Sequence, residues 1–131
     1  FGCDVCQSVC PWNQSRNKLN TAPPSLDELE IISLLSIDKD RFLARFAGSP
    51  LLRVKRRGLI RNLCTVLGNL HIRAAVPALG SILSSDPDPV VRLSAASALI
   101  GIDPGLAREL ISSHLPSEAD PVFLAGIREW I

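Results

Sequence analysis

Three thiols crowd the start of the chain in CDVCQSVCP (3–11), and a proline closes the run. Cys3, Cys6 and Cys10 are spaced C-x2-C-x3-C-P, while the only other cysteine, Cys64, lies in a distant apolar stretch. Thiolates so placed are soft, anionic donors, suited to zinc or to iron–sulfur clusters, whose delocalised electrons they tolerate. A zinc site would need further ligands, and no second CxxC or CxxH follows the run. A disulfide framework is the weaker alternative, because three of the four cysteines sit in a metal-ligand pattern and no long loops call for a staple. A reducing cytoplasm fits this cysteine usage.

The spacing matches the tail of the bacterial ferredoxin pattern, C-x2-C-x2-C-x3-C-P, whose last cysteine ligates the other cluster in two-cluster proteins. Cys3 and Cys6 are then expected to bind one [4Fe–4S] cluster and Cys10 a second, with Pro11 turning the chain so that Cys10 faces elsewhere. The run's earlier cysteine would lie upstream. The chain opens on Phe1, with motif residues at once, so it is expected to be the C-terminal piece of a longer protein. Trp12 would shield a cluster or pack at the surface. Neither His71 nor His114 is near enough in sequence to join these thiols, and each is expected at a surface or in a groove.

A second constellation is cationic. RVKRRGLIR (53–61) places Arg53, Lys55, Arg56, Arg57 and Arg61 together, with Asn62 and Asn69 adding polar reach. The formal net charge is only +1, yet no acid occurs between Asp40 and Asp86. On a continuous helix Arg53, Arg57 and Arg61 recur every four positions and share a face. Such a ridge suits phosphates, which arginine can contact in bidentate fashion. The plainer reading is a solvated helix face.

These groups need elements to hold them. At 131 residues and 47% hydrophobic, the chain can bury one core or a short repeat array. Charges interrupt every apolar window, so no membrane span is expected. Residues 1–24 have few anchors and end in TAPPS, where Pro23 and Pro24 disfavour helix. The predicted boundary separates the ferredoxin-type segment (1–24) from a helical body (25–131). Ser25 and Glu28 form a capping-box pattern before Leu29, Ile32, Leu34 and Leu35. A second helix is predicted from Asp38 to Gly48, with Phe42, Leu43 and Phe46 on one face.

The chain then repeats loosely. GLIRNLCTVLGNL (58–70) matches VVRLSAASALIGI (90–102), an offset of about 32 residues, within the range of helical solenoid units. Each is followed by an amphipathic segment, 76–85 and 105–115. Cys64 falls at the small apolar position of Ala96 and is expected to be buried packing. Asp88-Pro89 and Asp120-Pro121 read as helix starts, the last helix running to Trp130, which covers the final pair. Strand patterning is absent. The predicted fold is all-α, with antiparallel helix pairs resembling HEAT-like repeats, too few to be stable without a larger neighbour.

The motifs FGCDVCQSVCPWN and P-L-x-R-x-K-R-x-G-L-x-R-N-x-x-x-x-L-G-N (Pro50–Asn69) occur in the order and separation that resemble the C-terminal part of the epoxyqueuosine reductase family. The resemblance spans nearly the whole chain. It implies an oxidoreductase of queuosine biosynthesis that reduces epoxyqueuosine to queuosine at the wobble position of tRNA, using cobalamin and two [4Fe–4S] clusters. Cys3 and Cys6 would hold the cluster nearer the cobalamin, Cys10 the farther one, and Asp4 would approach the corrinoid. The helical domain would help to grip the anticodon stem-loop. Reduced cobalamin is a strong nucleophile toward an epoxide, and the clusters would deliver electrons singly from an external donor. The general acid would lie upstream, so this chain alone is expected to be inactive. A monomer in the cytoplasm is expected. The competing readings are a ferredoxin-type electron-transfer module fused to a protein-interaction scaffold, and a non-redox repeat adaptor.

Overall fold

A computed structural model describes Val9, Pro11, residues 27–128 and Trp130. Cys3, Asp4, Cys6, Cys10, Trp12 and the proposed boundary near residue 24 lie outside the described residues. Among the described residues every regular element is helical. No helix there is long and apolar enough to cross a membrane.

Local chemistry sets the helix starts. α1 (Glu28–Leu35), α2 (Lys39–Arg45), α5 (Pro89–Ile102), α6 (Pro104–His114) and α7 (Pro121–Ile127) each follow an aspartate whose carboxylate accepts from an amide of the first turn. These caps are Asp27, Asp38, Asp88, Asp103 and Asp120, and such a cap is worth about 1 kcal/mol. In the last three, proline follows at the first helical position, where the missing N–H costs nothing. The first helix therefore starts from Asp27 and not from Ser25. The last ends at Ile127, short of Trp130.

α3 (Lys55–Asn69) and α4 (Val76–Ser85) lack side-chain caps and depend on packing. Arg57 at the start of α3 meets Asp88 at the start of α5, and Gly68 near its end meets Ala98 and Gly101. The two helices therefore run side by side in one direction, as equivalent members of successive units must. α4 returns between them, and α6 returns after α5. A Cβ on Gly68 would lie 2.9 Å from the Ala98 Cα, so glycine is what permits this crossing.

α5 is the hub, packing on α3, α4, α6 and α7. Val91, Ala95, Ala96, Ala98 and Leu99 are buried, and the alanines let neighbouring backbones approach. Cys64 and Ala96 are both fully buried, as their matched positions predict. Burying each Leu, Ile or Phe of this core contributes about 1.5–3 kcal/mol. Phe42 of α2 joins it, but Leu43 is 48% exposed: two adjacent helical residues lie 100° apart, and only one faces inward. Gly48, at φ +73°, stops the chain after α2 where a Cβ would be strained.

An ionic brace ties α5 to the end of the chain. Arg92 donates from Nε and one terminal nitrogen to both Glu118 oxygens at 2.9 Å, and from the other to the Asp86 carbonyl at 2.8 Å. His114 Nε2 lies 3.0 Å from Glu118, and the Asp120 amide donates to the same carboxylate. Burial opposes the Glu118 charge, but these partners outweigh it and hold its pKa near 2, against an ordinary 4.5. His114 packs edge-on to Phe123 and lines a small groove between α4 and α6, the groove position being one of the two expected.

Candidate nucleic-acid interface

The basic segment is not one helical face. Ser49 caps a short 3-10 turn, Pro50–Arg53, by accepting from the Leu51 amide at 3.2 Å. Lys55, the first residue of α3, adopts φ +60°, a left-handed step that breaks the register between the 3-10 turn and the helix. Arg53 therefore stands on a separate element, and only Arg57 and Arg61 share an α3 face.

Three-dimensional neighbours divide the cations further. Arg56 turns inward: Nε donates to the Ile37 carbonyl at 2.7 Å and a terminal nitrogen to Asp86 at 2.5 Å. Its side chain is 20% exposed and that of Asp86 only 3%. Asp86 also accepts from the Asp88 amide, so Arg56 braces α3 against the turn before α5. Arg57 lies 3.3 Å from Asp88 but keeps 58% exposure. Arg53, Lys55 and Arg61 are exposed and form no ion pair among the described residues. Asn62 is half-buried on the flank of α3. The acid-free interval in sequence is thus not acid-free in space, because Asp86 and Asp88 fold back onto it.

Beside this cluster runs a groove of about 580 Å³ between α3 and α5. Arg61, Thr65 and Asn69 form one wall at four-residue intervals, and Val90, Ser94 and Ser97 stand opposite. Sequence reading placed Asn69 near the ridge but missed the facing serines, which a linear pattern does not link to it. Among the described residues no cluster of His, Cys, Asp and Glu is placed to hold a metal ion. Burial, then the nearby Asp86 charge, push the Cys64 thiol up to about 12; it is a neutral packing residue.

Stacked helix pairs carrying a cationic face and a polar groove define an all-helical repeat protein with features suited to a polyanion. No family model matches the chain. It is 32% identical over 124 residues to an epoxyqueuosine reductase from Listeria monocytogenes, covering 92% of this chain and 33% of the relative. It is 37% identical over 91 residues to one from Aliivibrio fischeri, covering 66% and 24%. A crystal structure of epoxyqueuosine reductase with an epoxyqueuosine-modified tRNA-Tyr stem loop superposes with TM-score 0.77 at 26% identity, covering all of this chain and 36% of that one. The chain is similar to epoxyqueuosine reductases along most of its own length, and spans between about a quarter and a third of these curated relatives' length.

Proposed function

We propose that this chain is the C-terminal part of an enzyme that reduces epoxyqueuosine to queuosine in tRNA, and that it grips the anticodon stem-loop while carrying cluster ligands. The observation that carries the RNA half is the exposed set Arg53, Lys55, Arg57 and Arg61, in a family with a member crystallised on a modified tRNA stem loop. Arg53, Lys55 and Arg61 make no ion pair among the described residues, so phosphates need not displace a partner. Arg57 can exchange its half-open pairing with Asp88 for a phosphate. Asn62 contributes from the flank. Arg56 is a positioning residue, since its guanidinium is committed to Asp86 and Ile37.

The helical body corresponds to a HEAT-like repeat domain (25–131), preceded by a ferredoxin-type segment (1–24). Cys3 and Cys6 would hold one [4Fe–4S] cluster and Cys10 another, with Asp4 toward cobalamin. Donor chemistry supports this: three thiols at ligand spacing, while Cys64 is excluded by burial and its raised pKa. The clusters supply single electrons when bound, and an external donor would refill them. This chain's part is to bind the stem-loop and present ligands; the epoxide chemistry belongs upstream, in a cytoplasmic monomer.

Two measurements test the reading. The 131-residue chain should bind an anticodon stem-loop RNA with an affinity that falls steeply with salt, by a slope of about 0.7–0.9 per phosphate contact. The intact parent, purified without oxygen, should contain iron and sulfide. Salt-independent or absent RNA binding removes the grip, and an iron-free parent removes the clusters.

A further inference from the structure

The groove between α3 and α5 has features that a phosphate ridge does not need. Its floor is small and apolar, with Gly68 and Ala98 at van der Waals contact. Its rim carries Arg61, Thr65, Asn69 and His71, and among the described residues no carboxylate lines it. Trp130, 41% exposed, closes one side. The indole also lies beside Ile100, Pro104 and Ile111 of α5 and α6, as expected of a cover for that helix pair, and its open part faces the slot.

His71 stands at the groove's end because it closes α3. At φ +53° it is the left-handed residue of the helix C-cap, its amide donating to the Gly68 carbonyl and the Ile72 amide to the Leu67 carbonyl, both at 3.1 Å. Its ring is fixed: Nδ1 lies 2.7 Å from the Gly101 carbonyl. A carbonyl only accepts, so Nδ1 carries a hydrogen, and in the neutral ring Nε2 is an acceptor.

We infer that this groove is a pocket for one unstacked nucleobase of single-stranded RNA, with Trp130 as its stacking platform and Arg61 on the adjoining phosphate. The volume suits one nucleoside, within the usual 300–1,000 Å³ of small-ligand sites. Proteins that read RNA loops splay bases onto aromatic planes and bond their edges. Here Asn69 and Ser97 offer donors and acceptors, and His71 Nε2 offers an acceptor. Among the described residues the lining is cationic and neutral, which favours a polyanion over a basic protein segment. Arg61 makes the pocket continuous with the exposed cations, so the loop's backbone would follow Arg57 and Arg61 while one base drops between the helices. The inference rests on the stem-loop reading above and names a subsite within it.

The test uses the 131-residue chain and an unmodified anticodon stem-loop RNA. Trp12→Phe leaves Trp130 as the sole tryptophan, and the RNA should then quench its fluorescence. Ser97→Trp fills the groove without changing charge; Trp130→Ala removes the platform. Both should weaken binding about tenfold or more, since stacking one base is worth roughly 1–3 kcal/mol, while the salt slope stays that of the unaltered chain. Arg61→Ala should instead flatten that slope by about 0.7–0.9. Thermal melts check that Ser97→Trp folds; Trp130→Ala, at a half-exposed position, provides the independent variant. If the chain binds with a steep salt slope, yet both variants bind normally and Trp130 is not quenched, the pocket is refuted and the ridge stands. If the unaltered chain does not bind at all, the stem-loop reading fails and takes the pocket with it.

Discussion

Two regions of this molecule are built from arginine, and they use it oppositely. In the brace at the start of α5, Arg92 is enclosed with Glu118 and His114, and its three guanidinium nitrogens and both Glu118 oxygens have partners. At the start of α3, Arg56 alone is treated this way, while Arg53, Lys55, Arg57 and Arg61 remain open to solvent. What separates the two regions is whether a buried carboxylate arrives from elsewhere in the chain. A cation with such a partner is a structural tie. One without it is available to a ligand.

The sharpest way to break the comparison is in the brace. Glu118→Ala strands the buried Arg92 and should cost about 3–5 kcal/mol, the range for removing one partner of a buried pair, measured by urea unfolding. The same carboxylate makes acid stability predictable. Its folded pKa, about 2, lies below the ordinary 4.5, so its contribution is complete above pH 4.5 and is lost as pH falls toward 2. That contribution is roughly 3 kcal/mol, at 1.36 kcal/mol per pH unit. Unfolding titrations between pH 6 and 2 should show the loss, and Glu118→Gln should flatten it.

Arg56→Ala comes next, leaving Asp86 buried without its cation, and should destabilise by about 2–3 kcal/mol. RNA binding by the folded variant should keep the salt slope of the unaltered chain, which would mark Arg56 as a tie. A lost phosphate contact, seen as a flatter slope, would move it to the open class. Asp120→Ala removes the cap that accepts from the Val122 and Phe123 amides and should cost about 1 kcal/mol. Smallest in stability are Arg53→Ala and Arg57→Ala, each within about 0.5 kcal/mol. They should nevertheless flatten the salt dependence of stem-loop binding, where Arg56→Ala does not.

Much of the architecture was legible in the chain. The 32-residue offset located both repeat units, and Asp88-Pro89 and Asp120-Pro121 marked helix starts. Cys64 was legible as packing from its match to Ala96. The basic segment was legible only as a composition. Its reading as one face failed at Lys55, whose positive φ is a single dihedral choice that no periodicity reports. The inward turn of Arg56 was equally hidden, because its acceptors lie 19 and 30 residues away. The groove position of His114 was expected, but its ties to Phe123 and Glu118 were not.

By itself the sequence determined the helices and their order, because a cap, a proline at the first turn or a stopping glycine acts within about four residues. It also determined the spacing of the thiols, which is covalent. Only the tertiary structure decided which cations are spent and which are free, and that α3 and α5 leave a slot beside Trp130. Those outcomes depend on through-space distances between groups some 30 residues apart, which become fixed only when the helices pack.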